Sequence, residues 1–582
     1  MTKPLPLTLF APGFFLLSAA LSAQTVCPPT PQYTPCDLVF DLSGADSAQP
    51  FDLHAEFQSP RHVTALVRAF WDGGTKWVIR YTPTEAGEHV FRLTGKDFTG
   101  KQGTFTATAR ATTGWLRAAN LHHFANVEGN TLTPHLWMGA IIDKFSAMDS
   151  AAWKTLVDTR TGQHFNHLGV TLIDDAASAN LRSPEFFRAV EDKLRYANQR
   201  GVLVDISFFG PDALMERLLP ARQARAQWFE MAISRLAPFD VTWQGLEGWE
   251  TYPHGRALLK EMGEYLTAAD PWKHTRGTRA QATSAPVADD GWLRIRSYEA
   301  VDDAAMAIDQ QMLQYPATAN FGAGTADAAT FRHRLWNATA SGLYPHTVVP
   351  NEEAAMTMKA WYEFMDSTRH WELEPFGDSP QARGVALDGV EYVLYVDTPG
   401  AVTVNVEKHT YDVEWINPAT GERLRQKEKN KGEVFNGSTP DNTHDWILHI
   451  SREGHKAGML KSIKFDSREE SLKLQDIEGN PAKVPFEITA PAGDTLLLSK
   501  PAEFGVKLLR QSKALERMMY EWTAEVTVSG KSWRLAGTGP TGTLRIPADI
   551  ADNFPAALHL RLFGMNAFGK VYLADRNYTL TK

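Results

Sequence analysis

Between residues 118 and 376 the chain repeats one unit, a short run of strand-like composition followed in most cases by a stretch with 3.6-residue periodicity. The strand candidates are HLWMGAIID (135–143), GVTLIDD (169–175), GVLVDISFF (201–209), DVTWQG (240–245), TRGTRA (275–280), WLRIRSYE (292–299), PATANFG (316–322) and GLYPHTV (342–348). The helical stretches between them include AAWKTLVDTRTGQHF, SPEFFRAVEDKLRYANQRG, ARAQWFEMAISRLA, GRALLKEMGEYLTAAD and ATFRHRLWNATASG. Eight such units in about 260 residues match the size of a (β/α)8 barrel, an architecture that carries its active sites on the loops after the strands.

Those loops hold the candidate chemistry. Strand ends supply Asp143 and Lys144, Asp174 and Asp175, Asp205 with Phe208, Glu247 with Glu250, Tyr298 with Glu299, then Asn320 and His346. The densest stretch is PFDVTWQGLEGWETYPHG (238–255), in which a strand over 239–243 ends in a turn bearing Glu247 and Glu250 beside Trp249. A carboxyl group whose pKa is raised by apolar surroundings gives a proton to a glycosidic oxygen, and an indole stacks on the sugar face. The same residues also read as a strand followed by a solvated acidic turn. Trp137, Phe208, Phe209, Trp243 and Trp249 are candidates for a sugar platform, although aromatic residues fill cores more often than they line sites. His122 and His123 have no further ligand at metal-site spacing, so packing or surface roles are expected of them, and no metal or other cofactor is implied.

The flanks change texture. Residues 24–117 alternate apolar and polar residues between Gly, Pro and Asp turns, the pattern of an immunoglobulin-like antiparallel β-sandwich. Residues 377–505 return to that pattern as a C-terminal sandwich, with QKEKNKGEVFNGSTPDN (426–442) as a charged loop, and residues 506–582 suit a fibronectin-like module.

Three passages carry a resemblance: RYTPTEAGEHVFRL (80–93), the strand DVTWQGLE (240–247), and RHWELEP (369–375) continuing to YVLYV (392–396). Their order resembles the apiosidase-like glycoside hydrolases of bacteria, which place a small sandwich before the barrel and a collagen-binding-type sandwich after it. The resemblance implies a carboxylate after strand four as acid/base, a role that falls on Glu250 or Glu247. It also implies a glutamate nucleophile after strand seven, yet that position falls on Asn320 or Phe321, and no glutamate lies between Glu299 and Glu352. Glu299 and Glu352 are therefore the candidates for the second carboxylate. A wider pair involving Glu247, Glu250 or an earlier Asp would suit inversion, and a barrel that binds sugar without cutting it also fits the gap.

The N-terminus reads as a signal peptide over 1–23, with Lys3, an apolar stretch from Leu5 to Leu21, and small residues at 20–23. Secretion or periplasmic export is expected, with the mature chain starting near Gln24 and no membrane span retained. Cys27 and Cys36, the only two cysteines, are then expected to pair. A net charge of -9 over 582 residues, without a long basic run, argues against nucleic acid as a partner. The expectation is an exported multidomain protein, a barrel between sandwiches, acting on plant or microbial polysaccharide.

Overall fold

The computed structural model describes residues 27–42, 52–95, 98, 100–119, 121–251, 254–281, 284, 287, 290–299, 303–325, 327–452, 483–497, 499–515, 518–528, 531–545, 555–566 and 569–581. The expected signal peptide lies outside these residues, as do SIKFDS (462–467) and SLKLQDIEG (471–479), two segments of the expected C-terminal sandwich whose composition suits short strands.

Eight parallel strands close into a barrel: β1 (Gly139–Ile142), β2 (His167–Ile173), β3 (Leu203–Phe209), β4 (Val241–Gln244), β5 (Arg276–Ala280), β6 (Ile295–Tyr298), β7 (Ala317–Ala319) and β8 (Leu343–Val348). Pairing of Gly139 with His346 joins β1 to β8 and shuts the ring. The outer layer is α1 (Ser150–Gly162), α2 (Pro184–Gln199), α3 (Leu214–Leu218), α4 (Arg222–Leu236), α5 (Gly255–Ala269), α6 (Asp303–Met312), α7 (Ala328–Ala340) and α8 (Glu352–Met365). Local chemistry sets several starts. Asp149, Ser183, Asp327 and Asn351 each accept the backbone N–H three residues on, and Pro184 stands in the first turn of α2.

The interior of this barrel is polar. Registers such as Asp205 with Thr242, Ser207 with Gln244, Arg279 with Ser297 and Ser297 with Thr318 place these side chains on the inward parity. Barrel interiors are normally filled by Val, Ile and Leu. Here several of the groups bond to one another instead: Asp205 accepts from Thr242 at 2.6 Å and Gln244 at 3.3 Å, and Ser297 joins Gln244 at 3.3 Å to Thr318 at 3.0 Å. Two glycines make room for the His346 ring. A Cβ at Gly139 would lie 2.8 Å from its Cδ2, and one at Gly169 would lie 2.4 Å from its Nε2.

A three-stranded meander (115–119, 123–128 and 131–135) closes the foot of the barrel. His135, the first residue of the stretch expected as strand one, ends this meander, with Trp137 capping the foot and stacked on His167 at 3.5 Å. The N-terminal sandwich is a five-stranded sheet facing a three-stranded one, with Cys27 bonded to Cys36. It docks near the start of β4: Arg80 and Arg235 share Glu191, and Thr82 donates to the Pro238 carbonyl. No helix among the described residues is long and apolar enough to cross a membrane.

After the barrel, a six-stranded sheet packs with the pair 401–405 and 434–438, so part of the expected charged loop is strand. The expected boundary at 505 falls inside a strand. Ala502–Leu508 pairs with both Phe486–Thr489 and Thr541–Leu544, so the last module takes in residues before 506. Its second sheet carries the long strands Met519–Val528, Ala556–Met565 and Val571–Thr581. This module seats on α6, where Ala307 and Ile308 pack against Phe563, Met565 and Val571.

Candidate active site

The barrel's C-terminal rim gathers three charged side chains. Arg279, two positions beyond Gly277 on the inward parity of β5, rises between Glu247 after β4 and Glu299 after β6. Its Nη1 lies 3.2 Å from Glu247 Oε1, and its Nε lies 3.7 Å from Glu299 Oε2. Because one planar guanidinium links them, the two carboxyl groups stand within roughly 9 Å of each other. Thr171 on β2 donates to Glu247 at 3.0 Å. Asn320, just after β7, donates to Glu299 at 2.9 Å, and its own orientation is fixed by Thr347 Oγ1 at 3.0 Å and the Val348 N–H at 3.1 Å, both donating to its carbonyl.

Burial raises the Glu299 carboxyl above the ordinary glutamate value; Arg279 and Asn320 oppose the shift, and the nearby charge of Glu247 adds to it. Glu299 Oε2 is shielded within the protein, and among the described residues it has no hydrogen-bond partner. Burial works against the Arg279 charge, but Glu247, Glu299 and Asp205 together hold its pKa up. Beneath the cluster, burial raises Asp205 and pushes His346 well down, so His346 stands neutral under Arg279 with its Nδ1 3.6 Å from Asp205 Oδ2.

Glu247, Glu299 and Asn320 are thus brought together. Glu250 stands outside them on an exposed turn, its carboxylate accepting from the Gln281 N–H at 2.8 Å. Burial of its carboxyl and the Glu299 charge nevertheless raise its pKa, with backbone N–H donors opposing. Glu352 is exposed in the first turn of α8, where it accepts from Gln163 at the end of α1, and it makes no contact with the rim cluster. Asp143 is exposed, and Asp174 is spent on the turn, accepting from Ser146 Oγ at 2.6 Å and the Ala177 N–H at 2.9 Å.

The expected aromatic platform is corrected outright. Trp243, Phe208 and Tyr298 adjoin the inward residues Gln244, Ser207 and Ser297, so alternation sends them outward into the helix layer. Trp243 stacks on Phe208 and donates to Asp270 at 2.9 Å; Tyr298 donates to Asp309 at 2.5 Å. Trp249 is buried and donates to the Arg279 carbonyl at 3.1 Å, which ties the β4 exit to β5, while Trp137 lies at the opposite end of the barrel. His346 is interior rather than a rim contact. Arg279 and Thr171 were not among the sequence candidates. The cue was available in TRGTRA, where an arginine two residues from a glycine shares its parity. Among the described residues no group of three or more His, Cys, Asp or Glu side chains is arranged to hold a metal ion.

Comparison with known proteins gives the same architecture. Residues 29–96 match the model of a domain family of unknown function, DUF5060. A solved structure of a candidate glycoside hydrolase from Bacteroides vulgatus ATCC 8482 superposes with a TM-score of 0.61 at 16% identity, spanning 73% of this chain and 99% of that one. A second structure, described as a glycoside hydrolase, gives a TM-score of 0.50 at 11% identity, spanning 59% and 97%. No curated protein matches the chain by sequence. The protein therefore has a glycoside-hydrolase-like fold, a (β/α)8 barrel accompanied by β-sheet domains.

Proposed function

We propose that the protein is an exported glycoside hydrolase acting on polysaccharide, of the apiosidase-like type. The observation that carries this reading is the pair of rim carboxyls, Glu247 and Glu299, flanking Arg279. Glycosidic cleavage needs one carboxyl group that holds a proton and one that carries charge, about 5–5.5 Å apart for retention or about 6.5–9.5 Å for inversion. Glu299, raised by burial, is the proton donor to the leaving oxygen. Glu247, ion-paired with Arg279, acts as nucleophile or as base toward water. Asn320 aims Glu299, and Arg279 keeps the two carboxyl groups from repelling one another. Glu250 has a supporting role at the mouth. Export is supported by the signal-like pattern of residues 1–23 and by the Cys27–Cys36 bond, a linkage at home in oxidising compartments. N-terminal sequencing of the protein recovered from periplasm and medium tests that part, with Gln24 as the expected first residue.

The test is release of reducing ends from a panel of plant and microbial polysaccharides by wild type, Glu247→Gln, Glu299→Gln and Glu250→Gln. Loss of about 100-fold or more is expected for the first two variants, the scale of one positioned acid or base, and less than about tenfold for the third. A second reading is favoured by Asn320, which stands where the resemblance calls for a glutamate: a barrel that binds carbohydrate without cutting it. Retention of a polysaccharide by the wild type with no reducing ends released would select it.

A further inference from the structure

A cavity of about 750 Å³ opens beside Glu299, and only one of its walls belongs to the barrel. The barrel wall carries Glu299 and Asn320 from the rim, with Asp303 of α6 and Asn337 of α7 behind them. The facing wall is made by the C-terminal module, through Met519, Tyr520, Thr538 and Pro540. The volume lies in the range of sites that enclose a ligand, about 300–1,000 Å³.

Both walls are pre-formed. Asn337 donates to Asp303 at 3.2 Å and contacts His333 Nε2 at 2.9 Å, which fixes the amide. The Thr538–Pro540 turn has Gly539 at φ 96°, in the left-handed region that suits glycine; the Gly539 carbonyl accepts from Trp522 at 2.7 Å, and the Pro540 carbonyl accepts from the Val506 N–H at 2.9 Å. The module cannot drift from the barrel without exposing the apolar contact between α6 and Phe563, Met565 and Val571, to which Met519 also belongs. One wall thus carries amide and carboxylate groups with the His333 imidazole and Arg334 guanidinium, while the other presents methionine, tyrosine, threonine and proline. A sugar ring, with hydroxyl groups on its edge and C–H groups on its face, matches that pairing of surfaces.

We infer that the C-terminal module, through Met519, Tyr520, Thr538 and Pro540, builds a carbohydrate subsite beside Glu299 and selects the oligosaccharide segment next to the bond being cleaved. The inference rests on the hydrolase reading for the word cleaved, but the binding it claims stands apart from turnover.

The experiment is a calorimetric titration of the full chain carrying Glu247→Gln, so that turnover does not consume the probe. The probes are oligosaccharides of two to six units from cellulose, mannan, xylan, arabinan and pectin. Thr538→Trp and Pro540→Trp are added separately to fill the cavity; Pro540 is exposed on its turn, so that substitution asks little of folding. Lys507→Ala, on an exposed strand position of the same module paired with Glu487, is the control. The expected result is at least tenfold weaker binding in both tryptophan variants and unchanged binding in the control. Affinities that survive both tryptophans overturn the inference, as does failure of every probe to bind the Glu247→Gln protein. If wild type releases no reducing ends but tryptophan-sensitive binding is seen, the hydrolase reading falls and the subsite stands. If cleavage occurs and both tryptophans are without effect on binding, the subsite alone falls.

Discussion

Two glutamates at opposite ends of the barrel are almost equally exposed, with side chains at 36% for Glu299 and 38% for Glu374, yet their pKa values move in opposite directions. Burial pushes both up. At the foot, His122 meets Glu374 at 2.8 Å, and His123 Nε2 lies 3.3 Å from it, which outweighs burial and holds the carboxyl at about 2. His122 also faces the Leu313 carbonyl through Nε2 at 2.8 Å, which fixes the plane of its ring. At the rim, Arg279 stands 3.7 Å from Glu299, is shared with Glu247, and does not cancel the effect of burial. Partners that are close and complete make a clamp. Partners that are shared and incomplete leave a carboxyl able to trade its proton.

The comparison breaks most visibly if the two ends exchange phenotypes. Glu299→Gln and Glu247→Gln are expected to lower reducing-end release by about 100-fold or more with little change in the unfolding midpoint. Next in size is Arg279→Met. Arg279 opposes the upward shift of Glu299, so its removal raises that carboxyl further, and the basic limb of the pH–activity profile moves to higher pH. A limb that stays in place would detach Arg279 from the proton donor.

Glu374→Gln sharpens the other half. It should cost about 1–2 kcal/mol in denaturant unfolding, a charge-assisted bond discounted for partial exposure, and leave reducing-end release intact. The pH dependence follows in sign. Glu374 has a folded value of about 2 against about 4.5 unfolded, so its contribution is complete above about pH 4.5 and is lost as pH falls toward about 2. Asp270, also at the foot, acts in the same direction: burial raises it, but His274 and Trp243 hold it at about 2. Urea midpoints measured across that window should fall in wild type, and fall less steeply in Glu374→Gln. The smallest effect expected is for Trp249→Phe, which loses the bond to the Arg279 carbonyl and about 1 kcal/mol, whereas a sugar-stacking tryptophan would instead have cost substrate affinity.

Much of this scaffold was legible in the sequence, because every barrel strand lay within or overlapped a short segment of strand-like composition bounded by turns. The helix Asp303–Met312 was not read, since DAAMAIDQQM is short and its apolar positions are mostly alanine and methionine. Parity was hidden because barrel strands are covered on both faces, so Trp243 and Gln244 are both buried and hydrophobicity does not say which points inward. Composition therefore suggested an aromatic platform where the fold places core, and it missed Arg279, which a run read as plain strand carried inward. Asn320 was legible as a departure from the resemblance. Its task of aiming Glu299 was not, because that depends on Thr347 from a neighbouring strand.

The most direct test of the contrast between the two ends is a single side-by-side assay of reducing-end release by wild type, Glu299→Gln and Glu374→Gln, each shown to be folded by circular dichroism. Release by wild type and Glu374→Gln is expected at similar rates, with Glu299→Gln about 100-fold slower or worse. Equal rates for wild type and Glu299→Gln, or loss of release in Glu374→Gln while Glu299→Gln keeps it, would contradict the account.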